Sequence, residues 1–237
     1  MKRNIKEMLR KISKTPDPVR KDRFLREHRE SVPQMPFSTW DRVRRQMMYI
    51  RVPVWILSAL ALMIAIGGIY TNLDTVYALS VFMPFMSGIA VFETFRSRVY
   101  GMNEMESVTP TSMRGILFSR IIGIGAVHIL LLSLLAVILG SRSGYGIPMT
   151  GVILTVPYLI SSTGSLELEK TAFGRKNAAW SMGFSSVVSA CMIALQNHRN
   201  LFSGRCSGFW YPVVLILMAM EYRKIKEILI REEYAWN

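Results

Sequence analysis

GILFSRIIGIGAVHILLLSLLAVIL, residues 115–139, decides the fold. Its only charged side chain is Arg120, close to the N-terminal end, and the apolar residues cover every side of a helix rather than one stripe. A soluble helix keeps a polar face for water, whereas a run of about 20 apolar residues is the length that a bilayer asks of a spanning helix. The same pattern recurs on either side. Apolar blocks stand at 54–70 and 76–95 before it, and at 147–162, 178–195 and 209–220 after it. The chain therefore reads as an all-α polytopic integral membrane protein of about six transmembrane helices. The fourth and sixth blocks are short, which leaves a five-span count or a re-entrant segment open, and the sixth can run on as helix to Ile230. Pro84 and Pro157 fall inside blocks; a span tolerates proline, and Pro84 predicts a kink.

The hydrophilic parts divide the rest. Residues 1–36 form a basic tail, in which Ile5, Met8, Leu9 and Ile12 at helical spacing predict a short amphipathic helix and Pro16 and Pro18 end it. Residues 37–52 predict an interfacial helix, capped by Ser38, with Trp40, Val43, Met47 and Ile50 on one side and arginines around them. Residues 53–222 make the transmembrane domain, and 223–237 a second tail. A secretory signal opens with a short basic start, whereas the first apolar run here follows a long charged segment; it is expected to stay as an anchor.

Charge sets the direction. The formal net charge is +13, and with both termini in the cytosol the outside loops hold only Arg142, Arg199 and Arg205 of the 29 lysines and arginines. That asymmetry obeys the positive-inside rule. A basic excess beside spans is thereby accounted for without nucleic acid, for which no zinc-ligand spacing or aromatic RNA-binding signature exists. Cys191 and Cys206 read as free thiols.

No sequence of catalysis or cofactor binding is present. There is no G-x-x-x-x-G-K-[ST] and no H-E-x-x-H. His28, His128 and His198 are scattered over tail, span and outside loop, so no metal site is expected, and the chain is not expected to be an enzyme. His128, in the middle of a span, has two readings: a residue of a translocation pathway, or a neutral imidazole bonded to a neighbouring helix. Arg120 can snorkel, or pair with a carboxylate such as Glu93.

Between the second and third blocks, residues 103–120 read NEMESVTPTSMRGILFSR. Glu104 to Thr109 fit a short surface helix, Pro110 turns the chain, and Thr111 or Ser112 caps the helix that rises as the third span. This predicts an elbow at 103–114 with an acidic rim, Glu104 and Glu106. They stand two apart, so they are not an acid/base pair on one helix face.

The pattern E-x-x-x-x-T-P-x-S-x-x-x-I-L resembles the permease subunits of type-2 ABC exporters, whose loop after the second span carries an acidic residue and then T-P-x-S. Glu104, Glu106, Thr109, Pro110, Ser112 and Arg114 stand at the matching positions. The resemblance in sequence covers the elbow; the resemblance in plan runs from about Phe37 to Tyr222. The chain departs in lacking a glycine ahead of the acidic pair, in its lysine-free start to the third span and in its longer tail. The resemblance implies a separate ATP-binding subunit gripping the elbow, a homo- or heterodimer of membrane subunits in the lipid bilayer, and a multi-pass place in a bacterial cell membrane. The alternative from a different class is a non-transporting scaffold or signalling protein that recruits a cytosolic regulator through residues 1–36. An intramembrane enzyme lacks any recognisable constellation. The short outside loops favour a peptide, lipid or drug-like cargo over a large folded one.

Overall fold

The computed structural model describes residues 39–70, 74–99, 113–171, 179–196 and 207–234, all within the unit that begins at Ser38. Among them are seven helices and no strand. These are α1 (Thr39–Met48), α2 (Val52–Gly68), α3 (Thr75–Val99), α4 (Met113–Gly140), α5 (Gly146–Lys170), α6 (Ala179–Gln196) and α7 (Ser207–Tyr234). Three stretches, Thr75–Ser97, Gly115–Gly140 and Gly146–Lys170, are long and apolar enough to cross a membrane; Val52–Gly68 and Trp180–Leu195 are shorter apolar helices. The protein is an all-α polytopic membrane protein.

Local chemistry sets the ends. Proline stands in the first turn of α2, where its missing N–H costs nothing, after Arg51 in an extended conformation. Gly146 opens α5 at φ 74°, a left-handed backbone that glycine adopts without a Cβ clash. It lets α5 turn back along α4.

The packing order is the reverse of a soluble protein. α5 lies at the centre, against α3, α4, α6 and α7. Of its apolar stretch 72% is buried in protein, against 33% for α4, although α4 is the more apolar of the two. In water the most apolar helix would be the most covered; next to lipid tails it has no reason to hide. Ile129, Leu130 and Val137 of α4 face outward accordingly.

Serines join the central helices. Ser161 of α5 donates to the Pro84 carbonyl at 3.0 Å and lies 3.0 Å from the Ser185 hydroxyl of α6. From α6, Ser181 donates to the Gly88 carbonyl at 3.3 Å and Ser189 to the Val81 carbonyl at 2.8 Å, both on α3. Small residues let these backbones approach; a Cβ on Gly164 of α5 would overlap the Phe184 ring of α6. α3 continues as helix through Pro84.

One expectation changes here. The fourth span, expected to end at Ser162, belongs to a helix that continues to Lys170. Ser161, Ser162, Thr163 and Ser165 look like a polar fringe, but all are buried inside the bundle. The sixth block runs on as helix past its apolar end, as expected, and α7 continues to Tyr234.

Ionic groups gather where α3 ends, α4 begins and α5 ends. Arg96 pairs with Glu93 at 2.6 Å, and the Arg51 N–H donates to the same Glu93 oxygen at 3.1 Å. Lys170 meets Glu167 at 3.2 Å and Glu227 of α7 at 2.5 Å, and Lys224 of α7 meets Glu167 at 2.8 Å. Across two helices this cluster ties α5 to α7, and Lys170 holds the exposed Glu227 carboxyl below its ordinary range.

Candidate functional site

The elbow residues Glu104, Glu106, Thr109, Pro110 and Ser112 lie outside the described residues. Arg114 belongs to the first turn of α4. Two turns further on, Arg120 occupies a junction. Its Nε donates to Gln46 Oε1 of α1 at 3.1 Å, and its Nη1 donates to Ser97 Oγ of α3 at 2.5 Å. The expected partner Glu93 is bound by Arg96 and the Arg51 N–H instead. The physical reason is proximity: Arg96 stands one turn along the same helix, so Glu93 is already engaged. Beside this junction α1 rests on α4. Val43 is buried, and Gly123 of α4 leaves the room that Met47 fills; a Cβ there would come within 3.1 Å of Met47 Cγ.

Deeper in the bundle a cavity of about 220 Å³ opens among α3, α4, α5 and α7. Two apolar clusters bracket it. One is built around Tyr77, Leu135 and Ile153, the other around Phe95, Leu117 and Leu166. Most of the cavity wall is aliphatic; Thr94 of α3 already bonds the Ala90 carbonyl of its own helix, and the other polar groups stand on α4, α5 and α7.

His128 is one of these groups. It is 2% exposed, its Nδ1 lies 2.8 Å from Tyr158 Oη of α5, and the two rings meet edge to face with centroids 5.6 Å apart. The imidazole is thus bonded to a neighbouring helix, and it also lines the cavity. Its Nε2 is buried and has no hydrogen-bond partner among the described residues. One turn along α5 from Tyr158, the Ser162 hydroxyl donates to Glu221 Oε1 of α7. Tyr158, Ser162 and Leu166 are four residues apart, so one face of α5 brings them to the same wall.

Tyr158, Ser162 and Glu221 were not singled out by sequence reasoning. Tyr158 and Ser162 carried a signal, two polar groups at i and i+4 in an apolar helix, but Ser162 read as a span end. Glu221 stands just past the last residue of the sixth apolar block, which placed it outside the bilayer on composition. The Ser133 hydroxyl donates to the Ile129 carbonyl of its own helix.

Comparison with protein-family models, curated proteins and solved structures gives no match to this chain. Function is therefore argued from the site itself.

Proposed function

We propose that this chain is the membrane-spanning permease subunit of an ABC exporter, in the cell membrane with both termini cytosolic. A separate ATP-binding subunit would supply the nucleotide chemistry, and two membrane subunits, alike or different, would pair. The observation that carries this reading is the Arg120 junction. The elbow leads into α4, and Arg120 joins the foot of α4 to α1 and α3. Arg120 would then act as a pivot, so that a push on the elbow tilts α4 about its tie to α1 and α3 instead of being absorbed by a loop.

The rest of the bundle supports the same mechanics. α4 is the least buried of the three long spans, so a tilt of it would disturb the smallest share of packed surface. α5 is held by the serine contacts to α3 and α6 and by the ionic cluster to α7. The cavity lies between the mobile side and the held side. Tilting α4 changes its walls. A bound partner shifts such an equilibrium only by its differential affinity for the two positions, so the elbow must bind the ATP-loaded and empty subunit differently. The gathering of ionic groups at the foot of α4 and the end of α5 supports placing that end in the cytosol.

The test is purification of the full chain in mild detergent from the cells that make it, with ATP hydrolysis as the readout. An ATP-hydrolysing subunit is expected to accompany it, and Pro110→Ala with Glu106→Lys is expected to abolish its stimulation. Unaltered stimulation in the double variant removes the elbow from the mechanism. No ATP hydrolysis with the unaltered chain removes the transporter reading.

A further inference from the structure

Glu221 is a carboxyl set in the wall of an apolar cavity. Its bond is to a neutral hydroxyl, Ser162, and no ion pair involves it among the described residues. The nearest basic residue on its own helix face, Lys224, is turned to Glu167 and to the Thr163 carbonyl at 3.4 Å. An ionised carboxylate removed from water costs several kcal/mol unless a cation joins it. Facing the same space are two aromatic rings, Tyr158 and His128, and the buried, unpartnered Nε2 of His128. Ring faces attract cations, with more effect where water is scarce.

The position of the mouth adds a constraint. Ile129 of α4 and Met218 of α7 both line the cavity, yet they are 62% and 48% exposed on the outer surface of the bundle. The cavity therefore opens sideways, between α4 and α7, onto the apolar surface. A ligand that reaches it has to partition into the membrane first. A cavity of about 220 Å³ accommodates roughly fifteen to twenty non-hydrogen atoms if each takes the space of one water probe.

We propose that this cavity binds a singly charged amphiphilic cation, an ammonium head carried on an apolar body. The head would sit between the Glu221 carboxylate and the Tyr158 and His128 rings. The body would lie along Ile124, Leu132 and Leu159 toward the lateral mouth. The carboxylate argues against an anionic amphiphile, and a zwitterionic lipid head would bring a phosphate toward the same carboxylate. The site belongs to this chain alone and needs no ATP-binding subunit, so its fate is separable from that of the transporter reading.

The experiment uses the full chain in micelles of uncharged dodecyl maltoside. The probes are 4-phenylbutyltrimethylammonium, 4-phenylbutyl sulfonate of matching body, and the zwitterion dodecylphosphocholine. Binding is followed by equilibrium dialysis. Separately, an apolar carbodiimide labels Glu221 in the unaltered chain, read by mass spectrometry, so that one arm does not depend on a variant folding. The cation is expected to bind at least tenfold more tightly than the sulfonate and to protect Glu221 from labelling, while the other two probes do not. Glu221→Gln is expected to weaken the cation at least tenfold and to leave the sulfonate unchanged. Equal binding of cation and anion, absence of cation binding, or protection by dodecylphosphocholine would each overturn the proposal. So would a Glu221 that resists labelling in the ligand-free chain, since a cation of the chain itself would then occupy the site.

Discussion

Replacing Arg120 with methionine tests whether the guanidinium ties helices together or only reaches toward headgroups. Methionine keeps an apolar stem and removes the guanidinium's bonds, among them those to Gln46 Oε1 and to Ser97 Oγ. Bonds from a charged donor are worth about 1.5–3 kcal/mol when buried, but side-chain bonds in bilayer proteins average only about 0.6 kcal/mol. Arg120 and Gln46 are half-buried and Ser97 is buried, so about 1 kcal/mol per bond is the working figure. Arg120→Met should then cost about 2 kcal/mol and Gln46→Leu about 1 kcal/mol. The double variant should cost about 2 kcal/mol rather than the additive 3 kcal/mol, because the Gln46 bond is lost only once. The assay is reversible unfolding of the full chain in mixed micelles of dodecyl maltoside and dodecyl sulfate. A coupling of about 1 kcal/mol supports the junction. Additivity to within about 0.3 kcal/mol would refute it, since a guanidinium that only snorkels does not sense residue 46. That result would also remove the structural support for a shared lever at the foot of α4.

Outcomes at three further positions are expected in the same unfolding assay. Ser161→Ala should cost no more than about 1 kcal/mol, since the Pro84 carbonyl keeps the Ser87 hydroxyl and Ser185 keeps the Ser181 carbonyl. Ser161→Leu should cost more than about 2 kcal/mol, because the site between three helices is closed. Gly164→Ala should destabilise, with a penalty of about 1–3 kcal/mol from overlap with Phe184 set against about 1 kcal/mol of helix propensity, and Phe184→Leu in the same chain should reduce the loss. The Glu227 carboxyl, held below its ordinary range by Lys170, adds stability that is present above the unfolded-state pKa and lost as pH falls through the lowered folded-state value. Glu227→Gln should flatten that acid-side loss in a pH series of unfolding curves, and an unchanged pH profile would remove the pair from the account.

Much of the fold was legible because the bilayer simplifies the sequence. A span must stay apolar wherever it meets lipid, and α2, α3, α4 and α6 keep apolar residues nearly to both ends, so they could be bounded to within a few residues from hydropathy alone. α5 resisted for the same reason in reverse. A helix enclosed by protein has no lipid to satisfy, and Ser161, Ser162, Thr163 and Ser165 are buried there at the point where composition placed the end of a span. Hydropathy measures the solvent that a segment would prefer; it does not record that neighbouring helices have supplied hydrogen-bond partners. Glu221 was lost to the same rule. Half of the cavity site was therefore hidden in residues that look like span ends.

That failure has a consequence for where chemistry sits in this chain. The most apolar of the three long spans, α4, contributes one polar side chain to the cavity, His128, beside apolar lining residues, and exposes much of the rest of its surface. The helices with the more mixed sequences, α5 and α7, contribute Tyr158, Ser162 and Glu221. If the elbow moves α4, His128 moves with it, while Tyr158, Ser162 and Glu221 stay with the side held by serine contacts and ion pairs. The His128–Tyr158 hydrogen bond crosses the boundary between the two sides. It is the contact that a tilt of α4 would break first within the cavity, and it stands beside the carboxyl that would hold a cationic ligand. Binding at Glu221 and the position of α4 would then be coupled through one hydrogen bond, and such a coupling acts equally in both directions. A cation that favours the intact pair would hold α4 in place, and displacement of α4 would weaken the cation by the same factor.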